Sequence, residues 1–149
     1  MGRRAVYVDA DACPVKAEIV KVAERHAATV YLVSNSGMRT RAHPLVRNVM
    51  VGDAADAADD WIAAHIAPGD VAVTADIPLA ARCLEKGAYA IGPDGRAFTA
   101  QTIGSALAAR ELNRHLRELG ETGGGGAPFS PRDRSRFLEG LDRALRPSR

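Results

Sequence analysis

The chain has 149 residues, 46% hydrophobic and 26% charged, with a formal net charge of +2, the make-up of one compact domain and too short for two large ones. No apolar stretch reaches the roughly 20 residues that cross a bilayer, and the start MGRRAVYVDAD runs into an acidic segment instead of a signal-peptide core, so a soluble cytoplasmic protein without a membrane partner is expected. Cys13 and Cys83 stand far apart without CxxC or Cys/His spacing, which argues against a disulfide framework or a zinc knuckle.

Ala5 to Asp9 (AVYVD) is a short β-branched run that reads as a first strand, and the DACP turn leads into a helix over about Pro14 to Ala27 with Val15, Ile19, Val22 and Ala23 at helical spacing. Thr29 to Ser34 and Val46 to Val51 read as the second and third strands. Asp53 is a natural N-cap for a helix through ADAADDWIAAHI, with Asp56 and Asp60 in its first turns and Pro68-Gly69 as its stop. Val71 to Thr74 gives a fourth strand, Pro78 to Lys86 a helix closed by Gly87, and Ala88 to Ile91 a weaker strand. A long helix over about Thr102 to Leu119 follows. Gly123 to Gly126 form a flexible connector, and a last helix has Ser130 as N-cap, Pro131 at its first position and Phe137, Leu138, Leu141 and Leu145 as its apolar stripe. Short buried strands alternating with helices predict an α/β fold: a three-layer, mainly parallel sheet with helices on both faces, plus C-terminal helices.

In open parallel sheets ligands bind outside the carboxyl ends of the strands. Asp9 and Asp11 end the first strand, Asp76 ends the fourth, and Asp53, Asp56 and Asp60 open the helix leading into it. If the first and fourth strands are neighbours, these acids converge, and each would repel the others unless a cation or proton lay between them. Carboxylates without His or Cys partners favour Mg²⁺ or Mn²⁺. The bland alternative for each acid is a helix cap or a charge placed on the helix dipole.

DADACPVK at Asp9 to Lys16, GDAADAADDWI at Gly52 to Ile62, VTADIPLA at Val73 to Ala80 and the tail APFSPRDRSRF resemble the YaiI/YqxD family of uncharacterised bacterial proteins over nearly the whole chain. The resemblance implies a PIN-like fold: a single domain over 1–149, with a core of about 1–119, a connector of about 120–128 and a C-terminal helix of about 130–146. PIN-like nucleases place an Asp after the first strand, an acid in a central helix and an Asp after the fourth strand, positions that Asp9, Asp56 and Asp76 match. The resemblance therefore implies metal-dependent phosphodiester hydrolysis, RNA being the favoured substrate, with Asp9, Asp11, Asp56 and Asp76 catalytic and these four together with Asp53 as metal ligands. The further acid that many such nucleases carry shortly after the fourth-strand Asp is replaced here by Ile77, Pro78, Leu79 and Ala80.

Lys16 in the first turn of its helix is a candidate phosphate contact, and Ser34 and Asn35 are candidates for binding substrate or ordering the site. Arg39, Arg41, His43 and Arg47 form one basic set, and Arg110, Arg114 and Arg117 at i, i+4 and i+7 another; either could track phosphates. Tyr7, Tyr31 and Trp61 look like core, leaving Phe98 and Phe129 as stacking candidates, and Cys13 reads as a packed, unreactive thiol. Two other functions fit. A non-catalytic PIN-like module would bind RNA or protein through the arginines, and a haloacid-dehalogenase-like phosphatase would use Asp9 of VYVDADACPV as nucleophile with Asp11 as acid/base.

Overall fold

Side chains alternate across a strand, and the alternation in three strands sorts the apolar residues into two cores. In β1 (Ala5–Asp9) Val6 and Val8 face one way and Tyr7 the other; in β2 (Thr29–Ser34) Val30 and Leu32 oppose Val33; in β4 (Val71–Val73) Val71 and Val73 oppose Ala72. Completed by β3 (Val46–Met50) and β5 (Tyr89–Ile91), these strands form one all-parallel sheet in the order β3-β2-β1-β4-β5. The computed structural model describes residues 4–35, 43–54, 56–105 and 130–146.

One face carries α1 (Lys16–His26) and α4 (Pro131–Leu145), which bury Ile19, Val22, Phe137, Leu141 and Leu145 against the valines. The other carries α2 (Ala57–His65) and α3 (Ile77–Glu85), which bury Ala58, Ile62, Leu79 and Cys83 around Tyr7, Val33 and Ala72. The result is the expected three-layer α/β fold. Among the described residues no helix is long and apolar enough to cross a membrane.

The last helix docks on the domain. Ser130 and Asp133 form a capping box, with the Asp133 amide donating to Ser130 Oγ at 3.2 Å and the Ser130 amide to Asp133 Oδ2 at 3.0 Å. Phe137 and Leu141 are fully buried, and His26 Nε2 lies 2.8 Å from Asp142 Oδ1 across the α1–α4 contact. Close approach to the turn after β5 depends on two glycines: a Cβ on Gly95, whose φ is +87°, would lie 2.6 Å from Phe137 N, and one on Gly140 would lie 2.7 Å from Gly95 O.

Several boundaries differ from the sequence expectation. The chain leaves β1 through a 3-10 turn, Ala10–Ala12, so Pro14 stays in the turn and α1 starts at Lys16. Asp53 is not the cap of α2: the Asn35 side chain donates to Gly52 O at 2.7 Å and Ala54 O at 3.4 Å, holding that stretch outside the helix, and Asp56 takes the N-cap position without a side-chain capping bond. β3 stops at Met50, β4 at Val73, and β5 begins at Tyr89. Residues 100–105 are helical; the rest of the expected helix to Leu119 and the glycine connector lie outside the described residues. Tyr7, Tyr31 and Trp61 pack together as expected, Tyr7 and Tyr31 stacking with ring centroids 4.9 Å apart.

Candidate functional site

The sheet order reverses between β1 and β4, whose strands run side by side in register from Val6↔Val71 to Val8↔Val73. The crevice beyond their carboxyl ends is the switch point where open α/β sheets bind ligands. Asp9 closes β1 there, and Thr74, Ala75 and Asp76 follow β4. The link between them is specific. The Asp76 amide donates to Thr74 Oγ1 at 3.0 Å, and because that bond occupies the acceptor side of the hydroxyl, Thr74 donates to Asp9 Oδ2 at 3.3 Å. Asp76 is also the N-cap of α3, its Oδ1 accepting from the Leu79 amide at 2.8 Å. The cap and the candidate-site roles therefore fall on one side chain, each carboxylate oxygen having a separate use.

The charges feel one another. Burial raises the Asp9 carboxyl above its ordinary range; the Thr74 hydrogen bond opposes this, and the charges of Asp76 and Asp11 add to the rise. Burial, then Asp76, Asp9 and Asp56 in that order, push Asp59 from 3.8 up to about 6, against the pull of Arg82. Asp59 is half-buried and was not among the residues singled out from sequence. A signal was present: Asp59, Ile62 and Ile66 are spaced i, i+3, i+7, in the phase of the apolar stripe that α2 turns to the sheet. Asp60, one residue on, falls outside that stripe and pairs with Arg82 at 2.8 Å on the exposed side. Thr74 is the other omission; it is 2% exposed, and only its hydrogen bonds reveal its part.

The remaining expected residues are distributed around this centre. Asp11 is exposed, and its Oδ2 accepts from the Asn35 amide at 3.0 Å. Asn35 thus ties the turn after β1 to the loops after β2 and β3. Ser34 is buried at the end of β2, Lys16 opens α1, and Asp53 and Asp56 are exposed on the approach to α2. Arg39 and Arg41, the other basic set at Arg110, Arg114 and Arg117, and Phe129 all lie outside the described residues. His43 is committed locally: its Nδ1 accepts from the Leu45 amide at 3.1 Å, so Nε2 carries the proton that reaches Glu24 Oε1 at 3.0 Å. Arg47 Nη1 donates to Pro44 O at 2.8 Å. Cys13 is buried and burial pushes its thiol up, the environment of an inert cysteine.

As the side chains stand, no three carboxylate, imidazole or thiol groups among the described residues lie close enough to hold one ion together. The oxygen-only donor set still suits a hard cation that keeps most of its waters and uses one or two carboxylates, and the mutual repulsion around Asp59 is the electrostatic condition that a cation relieves.

A family model described as "Uncharacterized BCR, YaiI/YqxD family" matches residues 7–147. The chain is 63% identical over 137 residues to a UPF0178 protein of Parvibaculum lavamentivorans, covering 92% of this chain and 90% of that relative. It is 59% identical over 141 residues to a UPF0178 protein of Rhizobium etli, covering 95% and 91%, and 57% identical over 141 residues to one of Rhodospirillum rubrum, covering 94% of each. No solved structure matches the chain.

Proposed function

The chain belongs to the YaiI/YqxD family, and we propose that it is a divalent-metal-dependent nuclease that hydrolyses phosphodiester bonds of RNA, built on a PIN-like version of the three-layer fold. The observation that carries this is the pairing of Asp9 and Asp76 at the β1–β4 switch point, linked through the Thr74 hydroxyl, beside Asp59, whose carboxyl is raised to about 6 by burial and by its acidic neighbours. One or two of Asp9, Asp59 and Asp76 would bind Mg²⁺ or Mn²⁺ directly, the ion keeping its other waters, with Asp56 and Asp11 at the margin and Asp53 farther out along the loop. When bound, such an ion supplies charge neutralisation on the phosphate and an activated water.

The chain's own residues prepare that chemistry. Thr74 fixes the orientation of Asp9 by donating to one carboxylate oxygen, and Asp76 is held in place by its capping bond to α3. The positive end of α1, with Lys16 in its first turn, lies at the same edge of the sheet and would draw substrate phosphate toward the acids. Asn35 keeps the surrounding loops in register.

The test is calorimetric titration with Mn²⁺ and Mg²⁺ alongside cleavage of labelled single-stranded RNA, for the wild type and for Asp9→Asn and Asp76→Asn. Asn caps a helix about as well as Asp, so Asp76→Asn changes the site charge without uncapping α3. Loss of metal binding and cleavage in both variants is expected. RNA binding that survives Asp9→Asn, with no turnover under either ion, would establish the non-catalytic module instead, and a phosphate analogue trapped covalently on Asp9 would establish the phosphatase.

A further inference from the structure

Two cavities lie along the outer side of β5, away from the acids of the β1–β4 switch point. The first, about 520 Å³, is enclosed by β5, the chain returning after Gly95 and the C-terminal half of α4. The second, about 670 Å³, adjoins it across Ala97 and Phe98 and carries Gln101, Asp94 and Arg96, the last two an exposed ion pair at 3.6 Å that a phosphate would have to displace. The first has the size of an ordinary small-molecule site.

Its wall combines two chemistries. Tyr89 is 46% exposed, a large aromatic face left open at a sheet edge, and Phe98 is a half-buried partition shared by both cavities. Against these stand three arginines. Arg4 lies 5.8 Å from the centre of the Tyr89 ring and donates through Nη1 to Ala144 O at 2.8 Å and Arg146 O at 2.7 Å, which offsets the negative end of α4. Arg146 is held by Asp142 at 2.9 Å. The Arg143 guanidinium makes no hydrogen bond or ion pair among the described residues. Between the aromatic and cationic walls the lining is small, Gly95, Ala97 and Gly140.

We propose that this groove binds nucleotide units of a single-stranded nucleic acid, one base on the Tyr89 side with its phosphate on Arg143, and the next beyond Phe98 with its phosphate near Arg96. A purely apolar ligand would leave the guanidinium groups unused and an inorganic anion would leave the rings unused, whereas a nucleotide engages both. Occupation of the groove requires no cleavage and no cation, so it stands or falls separately from the carboxylate site.

The experiment is isothermal titration of the full chain, in EDTA, with AMP, 5′-phosphorylated diadenylate, adenosine and inorganic phosphate. Saturable AMP binding is expected, with adenosine and phosphate each at least about tenfold weaker and the dinucleotide about tenfold tighter. Tyr89→Ala and Arg143→Ala, both at exposed side chains, should each weaken AMP about tenfold, while Arg132→Ala, exposed on the first turn of α4 outside both cavities, should leave it unchanged. Far-UV circular dichroism and a melting curve verify that each variant is folded. No binding of AMP to the wild type, or equal affinity in the Tyr89 and Arg143 variants, would overturn the site. Equal affinity for mononucleotide and dinucleotide would overturn the second subsite and assign the groove to a free nucleotide.

Discussion

Replacing Asp59 by Asn should stabilise the protein at neutral pH, because the wild type keeps a charge there at a cost. The Asp59 carboxyl moves from 3.8 to about 6 on folding, roughly two pK units, or about 3 kcal/mol at 1.36 kcal/mol per unit. The side chain is only half-buried, so solvent screening reduces this to about 1–2 kcal/mol. The sign follows from proton counting. Between about pH 4 and pH 6 the folded state binds more protons than the unfolded one, so stability falls as pH rises through that window and stays lowered above it. Asn, carrying no charge, removes the loss. In urea unfolding at about pH 7.5 the variant should exceed the wild type by about 1–2 kcal/mol, or about 3–6 °C in Tm, and the gap should close toward pH 4. A variant no more stable than the wild type at neutral pH, or a gap of the same size at both pH values, would refute the placement of Asp59 in a repelling cluster.

Other outcomes follow from the packing. Phe137→Ala removes a fully buried ring from the α1–α4 side of the sheet and should cost about 3–5 kcal/mol in urea unfolding. Gly95→Ala places a Cβ against the Arg136–Phe137 backbone at a φ of +87°; hydrogen exchange should show α4 losing protection ahead of β1 and β2, with about 1–3 kcal/mol of destabilisation. Thr74→Val keeps the shape but leaves the Asp76 amide and Asp9 Oδ2 without their shared hydroxyl, which should cost about 1–3 kcal/mol and raise the Asp9 carboxyl further, observable by carboxyl NMR titration; Thr74→Ser should restore most of both.

The layers of this fold could be read from periodicity because each rests on local rules. Val6 and Val8 alternate with Tyr7, Pro131 follows a serine cap, and the glycine after α3 adopts φ +81°. Strand adjacency entered the sequence reading only as a condition, and the pairing of β1 with β4 meets it. What escaped is what depends on side chains meeting across loops. Asp53 looked like a cap because nothing in its own segment shows that Asn35, seventeen residues before Gly52, holds the neighbouring carbonyls. Asp60 was singled out and Asp59 passed over, although the spacing of Ile62 and Ile66 already separates the two by helical phase. Thr74 read as one more strand residue, since its function lies in the direction of a hydroxyl bond.

The position of α4 bears on how the protein is made. The face of the sheet that it covers belongs to strands synthesised well before it, and Arg4 fastens to carbonyls 140 and 142 residues away. During synthesis, Val6, Val8, Val71 and Val73 therefore form a sheet face whose α4 cover does not yet exist, and the core of that face can close only when Phe137, Leu141 and Leu145 emerge. Such a delay exposes an apolar surface to other nascent chains. Premature termination anywhere before Pro131 yields a product that lacks Phe137, Leu141 and Leu145 from one core, a species to be held by chaperones or removed by proteases.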